Sequence, residues 1–417
     1  MSDFLTNPAT QEILLGVAII VGVTVLLAIS LLFARARLIP AEALEVTVNE
    51  TMVITANRGD RLLNVLQEAG IGIPAACGGS GTCGLCRVHV EGAGAGEPQA
   101  TEKGMLSGAE RRANMRLACQ TSLRGPCAVT VPSDFLGATG FTCRVISNKM
   151  LAPLIRELVL DLPEGHDFSY RAGDFMQLTA PSYALDFASI DIDEQFSGAW
   201  KISGWNSLKS SVDSPTTRAY SVACGPEDAK AGHAVFNIRL AVPPAGREQE
   251  VPPGRVSSWL FSLEPGDEVQ ALGPFGDFHV QPTQREKIFI GGGVGMAPMR
   301  AMIHEQIGKN TKVPMHFFYG ARSVGDLFYV EEYDKIAADN ENFKWTSALS
   351  DPAPGDRWTG QTGFIHDTVR NYLMKHPAAE ECEYYLCGPP VMISAVLNML
   401  ARLGVEPHMI HNDDFGA

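Results

Sequence analysis

Basic residues are in short supply: 33 lysines and arginines stand against 47 aspartates and glutamates, a net charge of −14. That excludes nucleic acid as a partner, because its binding needs a cationic surface. A disulfide framework is missing as well. The nine cysteines are an odd number, and Cys77, Cys83, Cys86 and Cys119 cluster early in the chain. That pattern suits metal ligation in a reducing compartment, and no structural disulfide is expected. Internal repeats and low-complexity tracts are absent, and 45% hydrophobic against 19% charged residues leaves no case for global disorder. At about 150 residues per domain, 417 residues imply roughly three domains.

Charge is absent altogether from Ile13 to Phe33, a run of 21 residues. At about 1.5 Å per residue it matches the 30 Å core of a bilayer. A secretory signal is the competing reading, with Ala34-Arg35-Ala36 imitating a cleavage site. Signals carry positive charge before a shorter apolar region, whereas here Asp3 and Glu12 precede the run and Arg35 and Arg37 follow it. The positive-inside rule then puts the N-terminus outside and everything after residue 34 in the cytoplasm.

Four units are expected. Residues 1–43 form a transmembrane anchor and tether. Residues 44–133 alternate short strand-like runs with one helical stretch, Arg61 to Ala69, capped by Asp60 and stopped by Gly70, giving a small α+β domain. Residues 134–284 carry strand-like runs such as FTCRVIS, ELVLDL, FMQLTA and RAYSVA between Gly/Pro turns, as in an antiparallel β-barrel. Residues 285–417 alternate strands with helices, the pattern of a doubly wound parallel α/β sheet. Tyr183 to Thr217 is an unusually long link, and links of that length tend to be functional or disordered.

Three constellations carry chemistry. In Cys77-GGSGT-Cys83-GL-Cys86, with Cys119 downstream, a glycine-rich loop offers three thiolates and backbone N–H groups, and a fourth thiolate completes the set an iron–sulfur cluster needs. Zinc is the alternative, but zinc sites usually pair two cysteine knuckles, and here the fourth ligand stands alone. Cys127 and Cys143, near strand-like runs, read as buried apolar residues. The second constellation is Arg218-Ala219-Tyr220-Ser221 with Pro253-Gly254-Arg255-Val256-Ser257-Ser258. A strand of this kind can project Arg to a diphosphate, Tyr to a flavin face and Ser to a flavin nitrogen, while the helix start favours phosphate. An ordinary strand end and helix cap remain open. The third is Gly291-Gly292-Gly293-Val294-Gly295, between a strand and a helix, with Cys387-Gly388-Pro389-Pro390 ending the last strand-like run. It does not fit G-x-G-x-x-G, yet it places glycines where a nucleotide approaches an open α/β sheet.

From about Phe141 onward these residues resemble the ferredoxin–NADP reductase superfamily. With the membrane segment and a [2Fe–2S] domain ahead of it, the whole chain resembles the F-subunit family of the bacterial sodium-translocating NADH:quinone oxidoreductases. The stretch Gly320 to Glu332 (GARSVGDLFYVEE), the acidic-aromatic link from Tyr183 and the ending Asp413-Asp414-Phe415-Gly416 carry that match. The resemblance implies that Arg218, Tyr220 and Ser221 hold FAD, with Gly254, Ser257 and Ser258 near its pyrophosphate. It implies NADH at Gly292, Gly293, Gly295, Gly388 and Pro389, with Cys387 close to the nicotinamide. Phe415 would cover the flavin, and Cys77, Cys83, Cys86 and Cys119 would hold the cluster. Arg322 could mark a 2′-phosphate pocket, but the family uses NADH.

The resemblance and the cofactor chemistry together imply an electron-input subunit in the bacterial inner membrane: hydride from NADH to FAD, then single electrons through the cluster to other membrane subunits and, indirectly, ubiquinone. The apolar run has no ionisable residue, so sodium translocation falls to those partners. Two alternatives stand beside this, a membrane-anchored NADH-dependent reductase feeding an oxygenase or other acceptor, and a redox-inert assembly subunit.

Overall fold

A computed structural model describes residues 43–75, 77–132, 135, 140–165 and 168–413, and of the first 42 residues 16, 19–27 and 30. Residues 19–27 are helical, and their apolar side chains are bare: Ile20 is 67% exposed and Leu26 66%. Among the described residues no helix is long and apolar enough to cross a membrane. Both ends of the Ile13–Phe33 run lie outside them.

The first sheet is mixed, with strands in the order Met52–Asn57, Ala43–Val48, Cys127–Thr130, Arg87–Glu91 and Met115–Leu117. Alternation in the first strand sends Leu44, Val46 and Val48 into the core. There they meet Leu62, Leu63, Val65 and Leu66 of the helix Leu62–Glu68. The helix starts one residue later than expected, and Asp60 does not cap it. Its N-cap is Arg61, without a side-chain bond, and the Asp60 carboxylate instead accepts from the Asn57 amide at 2.8 Å, closing the preceding turn. Gly70, at φ +79°, ends the helix as its sequence implies.

The second sheet is antiparallel throughout, in the order Thr216–Ser221, Phe175–Ala180, Glu268–Phe275, Phe141–Ala152, Ile155–Asp161 and His233–Arg239. A bridge from Val222 to Phe236 joins the last strand to the first, so the sheet curls shut as a barrel. The long link from Tyr183 is ordered. Its strands Tyr183–Asp186 and Lys209–Val212 pair antiparallel and enclose the helix Glu194–Ile202. Trp200 of that helix is fully buried against Phe187, Trp205 and Phe261 and donates to the Pro153 carbonyl at 2.6 Å.

The third sheet is parallel, in the order Gln361–Thr362, Phe343–Leu349, Met315–Ala321, Lys287–Gly292, Glu383–Cys387 and Ile410–Asp413. Its faces carry separate cores. One holds Met299 and Met302 of the helix Met296–Gly308 with Tyr333 and Ile336 of Val330–Asp339; the other holds Val369 of Ile365–Leu373 with Val396 and Leu400 of Pro390–Arg402. Helices therefore cover both faces, the doubly wound arrangement that the alternation of strands and helices implies. The strand order reverses between Lys287–Gly292 and Glu383–Cys387, and ligands of such sheets bind at the carboxyl ends there. At the opposite ends of the same two strands, Lys287 Nζ is buried against Glu383 Oε2 at 2.5 Å, with Thr283 and Tyr385 completing the network.

Candidate functional site

The four early thiols converge. Cys86 and Cys119 are buried with their sulfurs 3.2 Å apart. Cys77 lies against Cys119 and Cys83, contacts that pull its thiol below the ordinary range, while the same contact with Cys77 raises Cys83. The loop wraps this set because Gly78, Gly79, Gly81 and Gly84 all have positive φ, a conformation L side chains rarely adopt. Four thiols gathered by a folded-back loop fit the donor set of an iron–sulfur cluster. Cys127 instead lies on a strand of the first sheet and Cys143 on a strand of the barrel, both buried, as their surroundings imply.

Sequence reading missed the residues that brace this loop. Gln120 Nε2 donates to the Gly79 carbonyl at 2.9 Å and to Cys119 Sγ at 3.5 Å. Arg61 donates to the Cys119 carbonyl at 2.9 Å, and Arg87 to that of Gly84 at 2.5 Å. Adjacency of Gln120 to Cys119 was the one available signal.

Arg218, Tyr220 and Ser221 lie together on the edge strand Thr216–Ser221. Tyr220 is half-buried, and burial raises its phenol above the ordinary range. Arg218 reaches the cluster loop: a methyl group on Gly78 would collide with its guanidinium. Gly254 caps the helix Arg255–Phe261, which packs against the same strand and buries Ser257 and Ser258 in its first turn. Ser257 Oγ accepts from the Ala241 amide at 3.3 Å. Tyr183, another residue sequence reading did not single out, holds that turn to the ordered link through Ser210 Oγ at 2.7 Å and the Arg255 carbonyl. A guanidinium, a phenol and a hydroxyl on one strand, with the start of a helix packed beside it, are the donors a flavin dinucleotide uses.

Gly291 and Gly292 end their strand, and Gly293–Gly295 form a tight turn into the helix Met296–Gly308. A methyl group on Gly295 would overlap the Cys387 carbonyl, and one on Gly388 would lie 3.1 Å from the Gly292 carbonyl. The two loops therefore touch at the reversal point of the sheet. Tyr319, also missed from the sequence, is buried and donates to the Gly293 carbonyl at 3.1 Å. Cys387 is wholly buried, so in this structure it meets the turn through its backbone. Arg322, at the carboxyl end of the neighbouring strand, is tied to the Asp351 carboxylate by Nε at 3.2 Å and Nη2 at 3.1 Å. The final strand pairs Asp413 with Cys387, and the Asp413 carboxylate accepts from Ser221 Oγ at 3.4 Å. Phe415 lies outside the described residues.

Two stretches of the chain match known protein families. Residues 46–124 match the 2Fe-2S iron-sulfur cluster binding domain family, and residues 289–398 the oxidoreductase NAD-binding domain family. Among solved structures, the chain is similar to the Amycolatopsis cytochrome P450 reductase GcoB (TM-score 0.60, 23% identity, 89% of this chain and 98% of that one). It is also similar to the ferredoxin reductase in carbazole 1,9a-dioxygenase (TM-score 0.58, 26% identity, 90% and 98%). The F subunit of the Na(+)-translocating NADH-quinone reductase of Marinomonas sp. (strain MWYL1) is 44% identical over 97% of this chain and 99% of its own. That of Serratia proteamaculans (strain 568) is 44% identical over 97% and 100%. Similarity of that degree, along nearly the whole of both chains, makes this chain a member of the F-subunit family of the Na(+)-translocating NADH-quinone reductases.

Proposed function

We propose that this chain is the electron-input subunit of a membrane respiratory complex, oxidising NADH with FAD as hydride acceptor and passing single electrons through a [2Fe–2S] cluster to partner subunits. Those partners reduce ubiquinone and move sodium. The observation that carries this reading is the placement of the strand Thr216–Ser221, whose Arg218 abuts the cluster loop and whose Ser221 hydroxyl meets Asp413 beside Cys387. Three residues of strand, about 10 Å at 3.3 Å each, separate the two contacts. One edge strand thus joins a one-electron centre to a hydride donor.

When bound, FAD accepts two electrons as hydride and releases them one at a time, and the cluster carries them singly. Arg218 would hold the flavin diphosphate, aided by the start of the helix at Gly254, Ser257 and Ser258. Tyr220 would lie against the ring, and Ser221 would turn its hydroxyl to it where hydride arrives. Gly292, Gly293, Gly295, Gly388 and Pro389 line the approach of NADH, and Cys387 positions the nicotinamide without forming a bond to it. By the family resemblance Phe415, outside the described residues, would cover the flavin. Cys77, Cys83, Cys86 and Cys119 hold the cluster.

The working division of the chain is residues 1–43 as anchor and tether, 44–133 for the cluster, 134–284 for FAD and 285–417 for NADH. Ile13–Phe33 crosses the bacterial inner membrane once and leaves the redox units in the cytoplasm. A reductase feeding an oxygenase is supported by the likeness to the ferredoxin reductase in carbazole 1,9a-dioxygenase at 26% identity, well below the 44% shared with the F-subunit relatives. The test is anaerobic titration of the purified full chain with NADH. The flavin band should bleach and a reduced-cluster paramagnetic signal should grow; a protein lacking both chromophores would leave only the redox-inert role.

A further inference from the structure

The parallel sheet has a second end. At the amino ends of Lys287–Gly292 and Glu383–Cys387, away from the glycine loops, lies a cleft of about 530 Å³. Three kinds of donor meet on its wall. Glu286, His376 and Cys382 each offer one ligand atom, and the three atoms lie within 4.8 Å of one another. Each residue comes from a different part of the fold: Glu286 just before the first strand, Cys382 just before the fifth, and His376 just beyond the helix Ile365–Leu373. His376 Nε2 is 3.0 Å from Glu286 Oε2, and its Nδ1 is 4.0 Å from Cys382 Sγ.

Zinc bonds of 2.0–2.3 Å in tetrahedral geometry put neighbouring donors roughly 3.3–3.7 Å apart. Glu286 and Cys382 face different nitrogens of the His376 ring, so one ion takes His376 through a single nitrogen, and the three donor atoms, all within 4.8 Å of one another, close on it by side-chain rotation. Tyr372 donates to the other Glu286 oxygen at 3.0 Å, which fixes the carboxylate. The positive group on this wall, Arg285, is engaged with the Glu381 carbonyl at 3.0 Å.

We propose that Glu286, His376 and Cys382 form a binding site for a divalent transition cation of the zinc type, with a fourth position open to the cleft. As the metal–sulfur bond forms, the thiol proton leaves to solvent and no electron is transferred. The bound ion ties together the starts of the two strands whose far ends carry the Gly291–Gly295 and Cys387–Pro389 loops. None of the three ligands belongs to the FAD, NADH or cluster residues proposed above.

Zinc alone, added to the full chain carrying FAD and its cluster, tests this by titration calorimetry and zinc-edge X-ray absorption. The expected result is one ion per chain at micromolar affinity or tighter, with a single sulfur at about 2.3 Å and nitrogen or oxygen neighbours at about 2.0 Å. Cys382→Ser and His376→Ala should each weaken binding about 100-fold while the flavin and cluster absorption is unchanged. Should either variant lose its cofactors, Glu286→Gln supplies the same comparison with less disturbance. A sulfur-free shell, affinity equal to wild type in the variants, or binding only at millimolar zinc would overturn the proposal. So would a shell of several sulfurs, which would put zinc among Cys77, Cys83, Cys86 and Cys119.

Discussion

Ser221 and Asp413, 192 positions apart, meet through a hydroxyl-to-carboxylate hydrogen bond of 3.4 Å. The contact brings the last strand of the parallel sheet onto the end of the strand Thr216–Ser221, the place proposed above for hydride transfer. Replacing Ser221 with Ala removes a positioned donor at the reacting centre, a loss that typically costs about 10²–10³ in rate. Stopped-flow reduction of the flavin by NADH should slow by that factor while NADH affinity changes little. Wild-type rates would rule out the assigned role, and Cys387→Ala should show the same pattern with a smaller loss.

Any one of Cys77→Ala, Cys83→Ala, Cys86→Ala or Cys119→Ala should abolish the cluster signal in electron paramagnetic resonance and leave the flavin bound. Cys127→Ala, on its strand in the first sheet, should leave the signal intact. An unaltered spectrum in Cys119→Ala would remove it from the ligand set.

Asp351 occupies the guanidinium of Arg322 at the carboxyl end of the second strand of the parallel sheet, where such folds read the adenosine ribose. A carboxylate there repels a 2′-phosphate and keeps the arginine from pairing with one. Asp351→Ala should therefore raise kcat/KM for NADPH by about 10-fold, corresponding to roughly 1.4 kcal/mol. Unchanged discrimination between the two nucleotides would place specificity elsewhere.

Burial alone would raise the Glu383 carboxyl, but hydrogen bonds from Lys287, Thr283 and Tyr385 outweigh it and hold the group below its ordinary 4.5. A depressed folded value means the stabilisation is fully present above the unfolded pKa and is lost as pH falls through the folded one. Melting temperature should accordingly drop below about pH 4.5. Lys287→Met leaves Glu383 buried without its counter-charge and should cost about 3–5 kcal/mol, much of it recovered in the Lys287→Met/Glu383→Leu double variant. A single variant as stable as wild type would refute the account.

A chain starting near Leu38 should be soluble, retain FAD and the cluster, and oxidise NADH with an artificial acceptor. It should not restore quinone reduction in membranes lacking the native chain, because the tether raises the effective concentration of docked protein. Full restoration at stoichiometric concentration would disprove the anchoring role, and loss of either cofactor would give the N-terminal segment a structural one.

The cysteine spacing, the Arg218-to-Ser221 strand, the glycine turn before Met296 and the shift from antiparallel to alternating texture near Lys287 were all legible in the sequence. Each is a local pattern, set by backbone conformation, side-chain alternation or ligand spacing over a few residues. Asp60 shows the limit even at short range: two backbone amides competed for one carboxylate, and the turn at Asn57 won. The long link from Tyr183 carried too little periodicity to reveal that Trp200 would find a core against Phe261 and order it. Gln120 and Arg87 at the cluster loop, Tyr319 behind the glycine turn, Arg218 against Gly78 and Asp413 against Ser221 came only from tertiary structure. The same is true of the meeting of Glu286, His376 and Cys382. Residues so far apart in the chain become neighbours through the packing of whole sheets and helices, which no short window of sequence encodes.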